Sequence, residues 1–497
     1  MLQGTVGHAA PRTRVVWLLW AAVFAGFVFF FTRPARLFDA DSYLHLALAR
    51  DFVARALAGQ LDWARFSTLA QSYGDKELLF HLLLVPFAHS TDAELGGKLA
   101  LAGLCFSLAW SLWWLGAQAL GARGWVVPLL VFGSGSFVLR AIRLRPELLA
   151  LLLLLWVVWA LAQRRPWLAG VLACAFTLSH TAFHSLLGLA VAFFAWVRFR
   201  DRRWEWQLLA AVFAGVASGV LLHPQFPRNL SVFWTQNVEL FRMRAALPTA
   251  QEFGAHSIVD IAALDGLFWL GLVLVFLSRT RAVPGSENVQ RMAAFCAIAA
   301  LAFGALFTQM GRFATLFIPF VALSCAFALR ARGFELGARV KLPAGRSLSS
   351  LPTIAAVAAL SCGVAGLTAL LNWKVAGSFD ASLRAEQKQL ARLLPPGARV
   401  AASWDDAETY VFHAPHARYL NLYDPVFMAA RDPERHGQWL SVLSGAASDP
   451  ADVVKRDLDS DYLAFSVAGR EALLHQLAAE PRAKLLHRGR HALYRIE

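Results

Sequence analysis

Eleven long apolar runs decide what this chain can become. They lie at roughly 15–32, 96–118, 124–139, 147–162, 167–179, 183–198, 207–222, 264–278, 292–308, 313–329 and 352–371. A bilayer core is crossed by about 20 mostly apolar residues in helical form, because hydrocarbon satisfies no backbone hydrogen bond. Of the 497 residues, 58% are hydrophobic and 16% charged, more apolar than a soluble core of this size needs. The expectation is a polytopic α-helical membrane protein with about eleven transmembrane helices. The first run follows Arg12 and Arg14, and no small-residue cleavage site comes after it. Thr32-Arg33-Pro34 reads as the end of a retained helix rather than of a signal peptide.

An odd number of spans puts the termini on opposite sides. With the N-terminus in the cytoplasm, the cytoplasmic connections are Ala122-Arg123, Gln163-Arg164-Arg165, Arg198 to Arg203, Arg279 to Arg291 and Arg330 to Arg346. All are basic, as the positive-inside rule requires. Topology thus explains the net charge of +14. No basic region is paired with a reading motif for nucleic acid, so none is expected as a partner. The five cysteines sit in apolar runs without metal spacing and read as small hydrophobes. The expected location is the plasma (inner) membrane, multi-pass, with an extracytoplasmic C-terminal domain.

Two domains follow. Residues 1–372 form the transmembrane domain, with a first outer loop at 33–95 and a late outer loop at 223–263. Residues 373–497 form a small α/β domain outside the membrane. In the first loop, Ser42 to Leu57 has helical apolar spacing and Glu77 to Pro86 reads as a short interfacial helix. The late loop holds Pro224, Pro227 and Pro248, which argue for turns and extended chain. In the last domain, Arg399–Ser403, Arg418–Leu422, Asp461–Phe465 and His491–Ile496 read as strands. Helical stretches near Leu383–Leu394, Pro433–Ser444 and Arg470–Ala479 separate them.

The suggestive polar residues gather at span ends that open outward: Asp39, Asp41, Asp75, Glu77, Glu147, His180, His184, His223, Glu252 and Arg312. A transporter more often buries such groups mid-span, whereas a membrane enzyme lines them up on one face. Carboxylates such as Asp39 and Asp41 can hold a divalent cation, act as a base, or face water. Arg140, Arg143 and Arg145 break the positive-inside pattern. A lipid phosphate suits the guanidinium fork, and headgroup anchoring is the alternative. Glu147 sits where a helix dipole favours an acid. Arg312, opening a span in Gly311-Arg312-Phe313, either snorkels or holds an anionic headgroup. Ser403-Trp404-Asp405-Asp406 opens the soluble domain and is equally compatible with a plain turn. His180 and His184, at i and i+4 on a helix, would share a face but lack a third ligand. They read as interfacial histidines facing the bundle interior.

Taken in order, these pieces resemble the catalytic subunit of oligosaccharyltransferase within the GT-C glycosyltransferase superfamily. Asp41-Ser42-Tyr43 followed by Ala49-Arg50-Asp51 is similar to that family's first acidic motif, and Thr249-Ala250-Gln251-Glu252 to its Thr-x-x-Glu motif. Gly311-Arg312-Phe313 with Pro319 resembles the segment whose Arg meets the lipid (pyro)phosphate, and Ser403-Trp404-Asp405 the Trp-Trp-Asp motif. Two departures set this chain apart. Arg145-Pro146-Glu147 has Arg for the first acid of the second acidic pair, and Ser403 replaces the first Trp. The reading is a GT-C enzyme related to that subunit, not an oligosaccharyltransferase proper.

The resemblance implies transfer of a sugar from a polyprenyl-phosphate or -pyrophosphate donor to a glycan, lipid or protein acceptor on the outer face. Asp41 is the implied base, with Asp39 and Glu252 beside it. Arg312, Arg143, Arg145, Lys76, Glu77, Trp404 and Asp405 are the implied substrate-binding residues. The implied cofactor is a weakly held Mg²⁺ or Mn²⁺ on Asp41, Glu147 and Glu252. The rivals are a transporter or flippase of a lipid-linked or anionic solute, an oligosaccharyltransferase acting on protein, and a non-catalytic scaffold.

Overall fold

A computed structural model describes residues 13–56, 58–243, 287–331 and 380–497, with Leu247, Gly254, Asp265, Gly266 and Trp269 between them. Most of the expected span 264–278, all of 352–371, and the Thr249 and Glu252 motif lie outside the described residues. Helix α1 (Thr13–Thr32) leads through the first loop, with α2 (Ala40–Arg50) and α3 (Leu78–Ala88), to α4 (Ala93–Leu120). Then come α5 (Val126–Phe132), α6 (Gly135–Ala141), α7 (Glu147–Ala162), α8 (Pro166–Ser179), α9 (Phe183–Asp201) and α10 (Trp206–Leu221). The bundle continues with α11 (Arg228–Trp234), α12 (Leu240–Met243), α13 (Glu287–Phe307) and α14 (Ala314–Ala331). Among the described residues, four helices are long and apolar enough to cross a membrane, fewer than the eleven spans expected of the whole chain: Ala93–Arg123, Phe183–Asp201, Glu287–Phe307 and Gly311–Ala331. Val16–Thr32, α7, α8 and α10 are apolar but shorter.

Three local departures from expectation have clear causes. The run 124–139 is broken into α5 and α6 at Gly133-Ser134, because fully buried Asp265 caps the second piece. Its carboxylate accepts from Ser134 Oγ at 2.6 Å, Ser136 Oγ at 2.7 Å and Ser136 N at 3.2 Å. The described start of the late loop makes the expected turns at 223–227 but is helical beyond them rather than extended, and Pro248 lies outside the described residues. Pro227 is the N-cap of α11, where a missing N–H costs nothing. His180 and His184 do not share one helix: α8 ends at Ser179, His180 is in extended conformation, and α9 begins at Phe183. Packing of α8 on α10 rests on small residues. A Cβ on Gly215 would lie 2.1 Å from the Gly170 carbonyl oxygen, and one on Gly219 2.7 Å from Thr177 Cβ.

The last domain is an α/β unit. Its strands are β1 (Arg399–Ala402), β2 (Arg418–Tyr419), β3 (Tyr462–Ser466), β4 (Ala483–Arg488) and β5 (His491–Ile496), in sheet order β2-β1-β3-β5-β4. Strand β1 runs parallel to β2 and β3, while β5 is antiparallel to β3 and β4. Helices α15 (Ala381–Leu393), α16 (Trp404–His413), α17 (Pro433–Ser444) and α18 (Glu471–Ala479) surround it. The first loop joins the edge of this sheet: Tyr419 N donates to Trp63 O at 2.6 Å and Arg65 N to Tyr419 O at 2.9 Å. Trp63, 1% exposed, donates from Nε1 to Pro415 O at 2.8 Å. This seam sets α16 against α2, and the active-site candidates sit beneath it.

Candidate active site

The N-terminal turns of α2 and α7, the C-terminal end of α8, and the turn before α14 converge at one end of the bundle, where α16 covers them. They enclose a cavity of about 70 Å³ lined by Asp41, His45, Lys76, Glu77, Arg145, Glu147, His180, Arg312, Trp404, Glu408 and Tyr423, among others. Six of the residues singled out from sequence for substrate or metal therefore meet around Asp41. Asp39 and Arg143 do not line the cavity.

Asp39 is the N-cap of α2, accepting from Ser42 N at 3.3 Å and from the Ser42 hydroxyl. Arg145 ties the two acids together: Nε donates to Asp39 at 2.6 Å and Nη2 lies 2.6 Å from Asp41. Ser42 Oγ in turn accepts from Leu144 N at 3.0 Å, fixing α2 against the α6–α7 turn. The Arg that replaces an acid in the second motif is thus the counter-charge of the first motif. It positions Asp41 at the cavity wall.

Sequence reasoning missed the carboxyl opposite. Glu408 lies one turn into α16, is 1% exposed, and hydrogen-bonds Asp41. Burial, then the Asp41 charge, holds its carboxyl well above the usual range. The raised carboxyl favours the protonated form of Glu408, which then donates to the Asp41 carboxylate. The signal was available only as a Glu four residues after Trp404, since α16 itself was not expected. Ser403-Trp404-Asp405-Asp406 is no plain turn. It is the N-cap and first turn of α16, with Asp406 accepting from Ser403 Oγ at 2.9 Å and Ser466 N at 3.0 Å.

Glu147, at the start of α7, pairs with Arg140 and lies 3.9 Å from Arg312 Nη2. A second hollow of about 150 Å³ adjoins the cavity at Arg312. Its walls include Phe176, Leu240, Phe241, Leu306, Met310, Phe313 and Leu316. Glu147, His180, Thr181, Gln236 and Arg312 border both hollows. A charged cavity therefore stands next to a largely apolar slot.

On the other wall, Lys76 Nζ stands 3.4 Å from Glu77 Oε1 and 4.4 Å from the centre of the Tyr423 ring. Asp75 is fully buried. It accepts from His81 Nδ1 at 2.8 Å and Glu77 N at 3.0 Å, and these contacts outweigh its burial and keep its carboxyl below the usual range. Burial pushes the Glu77 carboxyl up.

Trp404 also lines a larger cleft of about 710 Å³ within the last domain, together with Asp405, Asn421, His436, Trp439 and Arg470. Asp405 faces this cleft rather than the cavity. Burial and the neighbouring Asp406 raise its carboxyl.

A divalent cation fits poorly on the carboxylates at hand. Asp41 is paired with Arg145 and Glu147 with Arg140, so the charge a cation would supply is already supplied by guanidinium. The third expected ligand, Glu252, lies outside the described residues.

No protein-family model and no curated protein sequence matches the chain. Solved structures do. The arabinofuranosyltransferase AftD from Mycobacteria matches at TM-score 0.59 and 17% identity, over 98% of this chain; the chain spans 40% of that protein's length. ArnT from Cupriavidus metallidurans matches at TM-score 0.58 and 13% identity over 97% of this chain and 98% of that one, and a structure of it bound to undecaprenyl phosphate matches at 0.57. The Archaeoglobus fulgidus oligosaccharyltransferase matches at TM-score 0.57 and 13% identity over 90% of this chain and 69% of that one. A helical membrane bundle carrying a small sheet domain over a polar cavity is the fold of the GT-C glycosyltransferases, and this chain has it.

Proposed function

We propose that the chain is an integral-membrane glycosyltransferase that moves a sugar from a polyprenyl-phosphate or -pyrophosphate donor to an acceptor outside the cytoplasm. The observation that carries this reading is that the charged cavity and the apolar slot lie side by side and share Arg312 in their walls. A headgroup phosphate at Arg312 with its isoprenoid chain along Phe313, Leu316 and Phe241 would use both surfaces at once. In the reaction, an acceptor hydroxyl attacks the anomeric carbon, the bond from that carbon to the phosphate oxygen breaks, and the lipid phosphate leaves with the electron pair. Asp41 takes the hydroxyl proton, a role worth about 10²–10⁴-fold in rate. Arg145 orients Asp41, and Glu408, holding its own proton, hydrogen-bonds the same carboxylate. Arg312 and Lys76 offset the charge that grows on the leaving phosphate, where one donor is worth about 2.7–4 kcal/mol. Trp404 borders both the cavity and the cleft of the last domain, which supports entry of the acceptor over that ring. The donor moiety follows the precedent of ArnT bound to undecaprenyl phosphate. The acceptor precedent is the Archaeoglobus oligosaccharyltransferase tethered to a sequon peptide. Loss of the first Trp of the corresponding motif favours a glycan or lipid acceptor here. A weakly held Mg²⁺ or Mn²⁺ remains part of the proposal only as a rate modifier, since the arginines hold the carboxylates.

A polyprenyl monophosphate carrying a photoreactive isoprene unit tests the donor site. It is expected to label the segments around Phe241 and Leu316. Arg312→Ala is expected to weaken that labelling by about tenfold, the scale of one charge-assisted phosphate contact. Labelling that ignores Arg312 would move the donor elsewhere.

A further inference from the structure

Beside the cavity, α2 and α3 hold a cluster that the proposed reaction leaves unused. His45 on α2 and His81 on α3 approach with Nδ1 of the first 2.9 Å from Nε2 of the second. Glu77, the N-cap of α3, brings Oε2 to 3.8 Å from His45 Nδ1. All three residues are buried, and one ligand atom from each lies within 4.8 Å of the others. Glu77 is 6% exposed, yet its Oε2 has no hydrogen-bond partner. Lys76 Nζ lies 3.4 Å from the other oxygen, Oε1, and leaves Oε2 without a partner beside the imidazole nitrogens, which is costly unless a further group joins them.

We propose that His45 Nδ1, His81 Nε2 and Glu77 Oε2 bind a Zn²⁺ ion. Two imidazoles and a carboxylate are a borderline-soft N/O set of the kind zinc prefers. Ligands at roughly 2.0–2.1 Å in a tetrahedron stand about 3.3 Å apart. The 2.9 and 3.8 Å separations bracket that spacing and the third pair of ligand atoms lies within 4.8 Å, so side-chain shifts close the site. The outer contacts are in place. Asp75 accepts from His81 Nδ1 at 2.8 Å, which leaves the Nε2 lone pair for the metal. Asp75 is itself held by Gln225 Oε1, which accepts its N–H at 3.0 Å, and by His223 Nε2, 2.7 Å from its carbonyl oxygen. His45 and Glu77 also line the cavity, so a fourth position is within reach of a water or phosphate oxygen. The ion would pin α2, which carries Asp41, to the start of α3, which follows Lys76. Neither Asp41 nor Glu147 is among its ligands, although both line one cavity with His45 and Glu77, and the site does not depend on which reaction the cavity performs.

The test uses the full chain, purified in detergent with any affinity tag removed, stripped with chelator, dialysed against ZnCl₂ and washed. Metal content is read by plasma mass spectrometry and ligation by zinc-edge X-ray absorption. About one Zn²⁺ per chain with two imidazole scatterers is expected. Glu77→Gln, nearly isosteric, and His81→Ala should each lower retained zinc at least about tenfold, and Asp75→Asn by about 10–100-fold in affinity. His184→Ala, outside the cluster, should retain it. Wild-type protein that elutes as a single symmetric peak but keeps less than about 0.1 Zn²⁺ per chain would overturn the site and leave a hydrogen-bonded Asp75–His81–His45 chain in its place. Full zinc retention in Glu77→Gln and His81→Ala would overturn it equally.

Discussion

At the scale of single residues, the account turns on the carboxyl pair Asp41–Glu408. Glu408→Gln keeps the hydrogen bond to Asp41 and removes the titration. Because burial and Asp41 raise the folded carboxyl above its ordinary 4.5, the folded state holds a proton that the unfolded chain releases. Stability therefore falls as pH rises through and beyond that value, until the folded group itself ionises. Thermal unfolding of wild type compared with Glu408→Gln at roughly pH 5 and pH 8 should show the variant less sensitive to the rise. A wild type that gains relative stability toward pH 8 would contradict this. Asp41 was visible in sequence because an acid after an apolar run is rare and exposed to inspection. Glu408 was not. It becomes a site residue only when β1 and α16 bring the last domain onto α2, a contact across more than three hundred residues that no local pattern encodes. Arg145 shows the same limit: the sequence marked it as an intrusion in a metal motif, and its ion pairs with Asp39 and Asp41 make it a positioning group.

At the scale of elements, close packing and one seam carry the arrangement. Gly215→Val places its Cβ 2.1 Å from the Gly170 carbonyl oxygen, so α8 and α10 must separate. A loss of about 1–3 kcal/mol is expected from such overpacking, seen as a lowered unfolding temperature in detergent. Unchanged stability would mean that the two helices are free to re-pack. Trp63→Ala removes a buried ring and its bond to Pro415 O at the joint of the first loop and the last domain. A cost of about 3–5 kcal/mol is expected, with limited proteolysis cutting between the two domains faster. Element identity was readable where periodicity was strong, as in α17, whose bounds coincide with the expected Pro433–Ser444. It failed where a partner distant in sequence decides. Asp265 splits 124–139 into two helices. Strand β4, at the sheet edge and largely exposed, lacks the alternation that marks a half-buried strand.

At the scale of the whole molecule, charge is sorted by end. The Arg164–Glu205–Arg291 network ties α7, α10 and α13 at the end opposite the cavity. The cavity end gathers Asp41, Glu147, Arg145 and Arg312. A polar cluster gathered at one end, rather than buried mid-span, supports the proposed enzyme over a transporter. The buried acid Asp265 and the broken α5–α6 pair are features a transporter would use. Here, however, three serine hydrogen bonds satisfy that carboxylate. The most direct measurement is donor turnover by the purified full chain in detergent, offered a panel of radiolabelled polyprenyl-phosphate and -pyrophosphate sugars with glycan, lipid and peptide acceptors, with and without Mn²⁺. The account predicts release of lipid phosphate by wild type and a loss of about 10²-fold or more in Asp41→Asn, at unchanged folding. Well-folded wild type that binds these lipids but never turns them over, or an Asp41→Asn variant as fast as wild type, would contradict it.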